Sequence, residues 1–242
     1  MKVLIAIVLS VATRAQAGDA TAGKAKSLAC QTCHVAGSAP HLVGQREAYL
    51  VAQLTAFKAG DRKHDLMNPI AKQLSEIDIA NLAAYWSAQP TGSDTTASAA
   101  VTAIEQPRMP FPKDFPNGFT VYRSEPDAAH HTISKSYANA AALAAAKAGK
   151  PMPAGSAIVV VNYVLDASGA AGKATSYSGM EARDGWGKDI PELLRNGDWS
   201  YNLWTADRTA KPGVNQAVCL ACHKPAAATS YVFTYDQIKA AH

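Results

Sequence analysis

Cysteine is scarce, acidic and basic residues nearly balance, and long apolar runs are missing from most of this sequence of 242 residues. After residue 17 nothing approaches the ~20 consecutive apolar residues of a membrane helix, so the expectation is a soluble chain. The formal charge of +4 includes Lys2 and Arg14 and is too weak to argue for a nucleic-acid partner. The one greasy stretch, Val3 to Val11, follows Met1-Lys2 and precedes Ala15-Gln16-Ala17. A charged start, a short apolar core and an A-x-A site make residues 1–17 a secretory signal cut after Ala17. The expectation is therefore export to the periplasm, with membrane attachment only through an uncleaved signal.

The four cysteines stand as two C-x-x-C pairs, and each pair is followed directly by histidine: Cys30-Gln31-Thr32-Cys33-His34 and Cys219-Leu220-Ala221-Cys222-His223. Exported cysteine pairs usually form disulfides, and C-x-x-C alone could be a redox dithiol or half a zinc site. The histidine decides against these, because C-x-x-C-H is the attachment sequence of a c-type haem. The two thiols form thioethers with the vinyl groups, and the histidine ligates the iron. Two covalently attached c-type haems are expected, with His34 and His223 as iron ligands. Motifs so far apart in a chain of this length favour two domains.

The first half reads as all-helical. Asp19 caps a helix leading into the first motif, Arg46 to Ala59 carries Tyr49, Leu50, Leu54 and Phe57 at helical spacing and stops at Gly60, and Ser75-Glu76-Ile77-Asp78 opens a helix with Ile79, Leu82 and Trp86 on one face. Gly23, the first motif, Ala39-Pro40-His41-Leu42-Val43-Gly44-Gln45, Tyr49-Leu50, Phe57-Lys58-Ala59-Gly60, Met67 and Leu82-Ala83-Ala84-Tyr85-Trp86 follow in order. Over 18–89 this segment resembles the small class I bacterial cytochromes c. The resemblance implies that the first and last helices cross closely at Gly23, against Tyr85 or Trp86. It also implies that the Pro40 carbonyl orients His34 and that Met67 is the distal iron ligand. A thioether is neutral and soft, favours ferrous iron, and leaves no coordination position for substrate. His41 and His64 are rival ligands by chemistry, but both read as exposed.

Residues 90–110 include the small, polar run Thr91-Gly92-Ser93-Asp94-Thr95-Thr96-Ala97-Ser98 and read as a flexible linker. From residue 111 to 242 the character changes. Ile133 to Tyr137 alternates, Ala138 to Ala148 is an alanine-rich helix, Ala157 to Leu165 is a buried strand, Asp166 to Gly172 is a turn, and Trp199 to Trp204 alternates again. Tyr137-Ala138-Asn139, Gly149 to Ser156, Gly185-Trp186-Gly187, Asn196-Gly197-Asp198-Trp199 and the second haem motif with Tyr231-Val232-Phe233-Thr234 after it carry a second likeness. This half resembles the cytochrome P-460 family and its relatives, the cytochromes c'-beta. The resemblance implies a mainly antiparallel β (α+β) fold and a haem whose sixth position is open or loosely filled. P-460 members oxidise hydroxylamine through a haem cross-linked to a strand lysine; c'-beta members bind small gases such as nitric oxide. Gly155 to Leu165 contains no lysine, which argues against the cross-linked version. An apolar wall from Val159, Val161 or Phe119 would then suit neutral diatomic ligands.

His130 and His131 begin a strand and point to opposite faces, so at most one can reach the haem. Met180 could be a sixth ligand, though a lone methionine is usually packing. Glu181, Arg183 and Asp184 read as a charged loop. The expectation is a periplasmic dihaem cytochrome c: a His34/Met67 haem exchanging electrons with a more accessible haem on His223, and with periplasmic redox proteins. The alternative is a redox enzyme or sensor acting on nitric oxide, hydroxylamine or peroxide at the second haem.

Overall fold

The computed structural model describes residues 18–35, 39–91 and 99–241. The expected signal lies outside these. Among the described residues no helix is long and apolar enough to cross a membrane.

Four helices form the first half: α1 (Ala20–His34), α2 (Glu47–Ala59), α3 (Met67–Lys72) and α4 (Glu76–Ser87). The Asp19 carboxylate accepts from the amides of Thr21 and Ala22, filling donors the first turn of α1 leaves over. Ser75 and Asp78 close a reciprocal capping box on α4, and Gly60 ends α2 in left-handed backbone, φ 85°. Leu50, Leu74, Ile79, Leu82, Ala83 and Trp86 make the helical core; Tyr49, expected on the same face, stays 46 % exposed. Helices α1 and α4 cross at Gly23, where a methyl would overlap the Asn81 carbonyl and crowd the Tyr85 Cβ at 2.8 Å. The close approach is as expected, but the partner is α4 backbone rather than an aromatic ring.

The second half is a five-stranded antiparallel meander, β1 (Phe119–Asp127), β2 (Thr132–Asn139), β3 (Ala157–Leu165), β4 (Ala171–Ala182) and β5 (Trp199–Thr205), paired in chain order. Helix α6 (Ala140–Lys147), capped by Asn139, joins β2 to β3. After β5 come α7 (Gln216–His223), a 3₁₀ segment (Lys224–Thr229) and α8 (Tyr235–Lys239). One face of the sheet buries Phe115, Tyr137, Val159, Val161, Tyr177 and Trp204. The other sets Ile158, Met180 and Tyr201 into a core with α7 residues Ala217, Leu220 and Ala221. Period-two alternation thus sorts β3 between two different cores.

The expected linker needs correction over its second part. Residues 99–105 form α5 (Ala99–Glu105), with Val101 and Ile104 no more than 1 % exposed, and Met109 is buried as well. Val101 and Ile104 lie three apart and so share one helix face, and α5 packs against both α1 and α7. Residues 92–98 of the expected linker lie outside the described residues. The two halves are also docked directly. Leu28 and Ala29 of α1, Leu66 just before α3 and Ile70 within it enter the same apolar cluster as α7, and Gln73 donates to the Leu193 carbonyl at 3.4 Å.

Candidate haem sites

Both C-x-x-C-H motifs end a helix, and both histidines are held the same way. On α1 the spacing of three and four puts Cys30, Cys33 and His34 on adjacent positions of one helix surface. His34 Nδ1 donates to the Pro40 carbonyl at 2.6 Å, as the Pro40 expectation requires. With Nδ1 protonated by this bond, the lone pair is on Nε2, the form that binds metal. Burial, against the effect of that bond, holds the His34 pKa below the ordinary histidine range, so the ring stays neutral as a ligand must.

Three of the thiols are also held in their neutral form. Burial pushes Cys30 up to about 12 and raises Cys33 and Cys219. A reactive redox dithiol needs the opposite shift. Among the described residues no disulfide links these cysteines, and no three His, Cys, Asp or Glu side chains converge as a metal cage. The buried Trp86 indole N–H lies beside Cys30, where it opposes the effect of burial on that thiol. Met67 opens α3 half-buried. His41 and His64 are exposed, and His64 Nδ1 accepts from the amides of Leu66 and Met67.

At the second motif α7 is capped by Asn215 and lies along β5. His223 Nδ1 donates to the Tyr231 carbonyl at 2.8 Å. Its ring sits between Tyr201 and Phe233, at centroid distances of 4.8 and 4.9 Å. Burial lowers the His223 pKa too, ahead of the opposing carbonyl bond. Cys219, Cys222 and His223 open onto a cavity of about 570 Å³, within the range of cofactor pockets. The donor set, the neutral histidine and this volume fit a haem.

The rest of that wall is mainly apolar, as expected, with Ile158, Val160, Leu203, Val218 and Val232 on it, but it is built from other residues than those named for it. Val159, Val161 and Phe119 belong to the aromatic core on the far side of the sheet. Facing the cavity are Ser134, Ser136, Val160 and Ser178, with the ion-paired Arg123 and Glu125 alongside. Alternation explains the exchange: in a strand the neighbours of a buried valine point the other way. No lysine lines the cavity, in keeping with its absence from β3. Met180 lines it but is 6 % exposed in the buried cluster with Ile158 and Tyr201. His130 and His131 are exposed in the turn between β1 and β2, with His130 bonded to Asp127 at 2.7 Å. Glu181 and Arg183 pair with each other at 2.8 Å. Tyr231 belongs to a stretch that carries the second resemblance, but its role at His223 was not read from it, and Arg123 and the three serines carry no sequence signal of a site. Tyr231 contributes only a carbonyl, and serines are everywhere in the chain.

The Cytochrome P460 family model matches residues 112–234. Among curated proteins, the cytochrome c-554(548) of Halomonas halodenitrificans is 43% identical over 82 residues, covering 30% of this chain and 99% of that protein. A cytochrome c4 of Pseudomonas aeruginosa is 36% identical over 97 residues, covering 36% of this chain and 48% of its own length. A thiosulfate dehydrogenase electron acceptor of Thiomonas intermedia is 32% identical over 101 residues, 38% of this chain and 46% of that protein. The chain thus spans about half the length of the last two relatives.

Proposed function

The chain belongs to the cytochrome P460 family through residues 112–234 and to the class I cytochromes c through its helical half, and we propose that it is an exported dihaem electron-transfer protein. Cys30 and Cys33 would hold one c-type haem, with His34 and Met67 as axial ligands. Cys219 and Cys222 would hold the other, with His223 on one side and an accessible position opposite. When bound, each haem supplies a one-electron couple between ferrous and ferric iron. The chain's part would be to keep both imidazoles neutral by burial, to orient them through the Pro40 and Tyr231 carbonyls, and to leave the second site open. Electrons would pass between the two haems and then to periplasmic redox proteins.

The observation that carries this reading is the cavity beside α7. Its one soft donor besides the cysteines, Met180, is built into the core, which favours an accessible iron. Carbon monoxide or nitric oxide added to the reduced holoprotein should change the spectrum of the second haem and spare the first. No change at the second haem would sink the open-site assignment. At the first haem, Met67→Ala should abolish the sulfur-to-iron charge-transfer band, and an unchanged band would remove Met67 as ligand. Mass measurement of fewer than two haems per chain would sink the premise.

A second reading is favoured by the hydroxyls of Ser134, Ser136 and Ser178 and by Arg123 and Glu125 around the same cavity. These groups interrupt a mainly apolar lining and can hydrogen-bond a polar ligand such as hydroxylamine or a peroxide. In that reading the second haem is a redox enzyme or sensor site, and the first haem is its electron relay.

A further inference from the structure

The cap of the helix that bears the second motif reaches into the first motif through its side chain. Asn215, which caps α7, donates from Nδ2 to the carbonyl of Thr32 at 2.9 Å, and Thr32 is the residue before Cys33. The second Nδ2 proton is within 3.1 Å of Glu105 Oε1, and Asn215 Oδ1 accepts from the Ala217 amide at 2.9 Å. Both donors and the acceptor are thus engaged, so the orientation of the amide is set by its network. Flipping it would place its oxygen against a carbonyl and a carboxylate. Thr32 is fully buried, with its hydroxyl bonded to Ala29, and the surrounding residues Ala29, Ile104, Ala217 and Ala221 are buried too.

We infer that Asn215 is a positioning residue for electron transfer between the haems, its side-chain amide bridging the peptide before Cys33 to the helix that bears Cys219 and Cys222. This rests on the electron-transfer reading above. Electronic coupling decays faster across a gap than along covalent and hydrogen bonds. The bridge replaces a gap with one hydrogen bond between two covalently attached segments. One electron moves per event: one iron goes from ferrous to ferric as the other goes from ferric to ferrous. No proton moves and no bond changes at Asn215.

The test uses the holoprotein. Pulse radiolysis delivers one electron, and its redistribution between the haems is followed where their spectra differ. Asn215→Ser keeps a cap for Ala217 but is too short to reach Thr32. It should slow redistribution several-fold while leaving both midpoint potentials unchanged, with a lower melting temperature from the unpaired Thr32 carbonyl. Gln73→Ala removes the hydrogen bond to the Leu193 carbonyl, which also joins the halves but lies far from the motifs in sequence, and should leave the rate unchanged. In the wild type, slowed hydrogen exchange of the Asn215 side-chain amide reads the bond with no electron moving. An unchanged rate in Asn215→Ser, equal slowing in Gln73→Ala, or unprotected Asn215 amide protons would overturn the inference. Absence of any redistribution in the wild type would instead overturn the electron-transfer reading itself.

Discussion

His223 Nδ1 stands 2.8 Å from the Tyr231 carbonyl oxygen, and Tyr231 presents that carbonyl from left-handed backbone, φ 64°. A bulky residue rarely adopts this conformation. The preceding Ser230 is left-handed as well, φ 55°, and the Tyr231 amide is tied to the Ala226 carbonyl at 2.7 Å. The loop after α7 is bent back so that a main-chain oxygen, not a side chain, meets the imidazole.

Because the acceptor is backbone, the identity of the side chain should matter little and the loop geometry a great deal. Tyr231→Phe is expected to leave the iron–histidine stretching frequency of the reduced second haem unchanged. Tyr231→Pro removes the amide bonded to Ala226 and forbids positive φ, so the carbonyl must move and the frequency should fall as the ligand loses basicity. Resonance Raman spectra of the two variants decide it; a drop in the Phe variant would mean the phenol, not the carbonyl, supports His223.

At Gly23 two effects oppose each other. Alanine ordinarily favours a helix over glycine by about 1 kcal/mol. Here its methyl would meet the Asn81 carbonyl, and main chain cannot swing aside as a flexible side chain can. Overpacking costs typically ~1–3 kcal/mol and sometimes more, so Gly23→Ala should be net destabilising. Urea unfolding followed by circular dichroism checks the sign, and a stabilised variant would refute the close crossing of α1 and α4.

Much of this was legible in the residues, and the failures have physical reasons. The α4 capping box and β3 could be read directly because each depends on neighbours in sequence: Ser75 with Asp78, and an apolar run bounded by turns. Strand β4, Ala-Gly-Lys-Ala-Thr-Ser-Tyr-Ser-Gly-Met-Glu-Ala, has few β-branched residues. It is held by pairing to β3 on one side and β5 on the other, which local propensity does not record. Strand β1 is mostly exposed and pairs only with β2. The two C-x-x-C-H motifs were legible directly. The wall opposite them was not, because placing Val160 rather than Val159 on the cavity requires knowing which face of the sheet meets α7.

Acid should weaken the helical half through Asp78. Burial works against its charge, but bonds from Lys26, 2.6 Å away, and from the Ser75 amide outweigh it and hold the pKa below the ordinary carboxylate range. With a depressed folded pKa, the unfolded state takes up protons first as pH falls. The stabilisation is therefore present above the ordinary carboxylate value and is lost as pH falls through the folded one. Asp78→Asn should melt below the wild type at neutral pH, with the gap closing on acidification. A gap independent of pH would show that the charge contributes nothing.

Adjacent residues of β3 offer the sharpest separation of fold from site. Val159 is fully buried among Phe115, Tyr137, Tyr177 and Trp204, whereas Val160 is half-buried on the cavity that His223 enters. Truncating Val159 leaves a void in an aromatic core that cannot collapse around it, so Val159→Ala should cost roughly 2 kcal/mol. Its carbon monoxide affinity should stay near that of the wild type. Val160→Ala should cost less stability and shift that affinity, because the methyls removed face the open position. Denaturation and carbon monoxide titration of both variants test the pair together. If Val159→Ala shifts the affinity and Val160→Ala does not, the face of the sheet assigned to the haem is the wrong one.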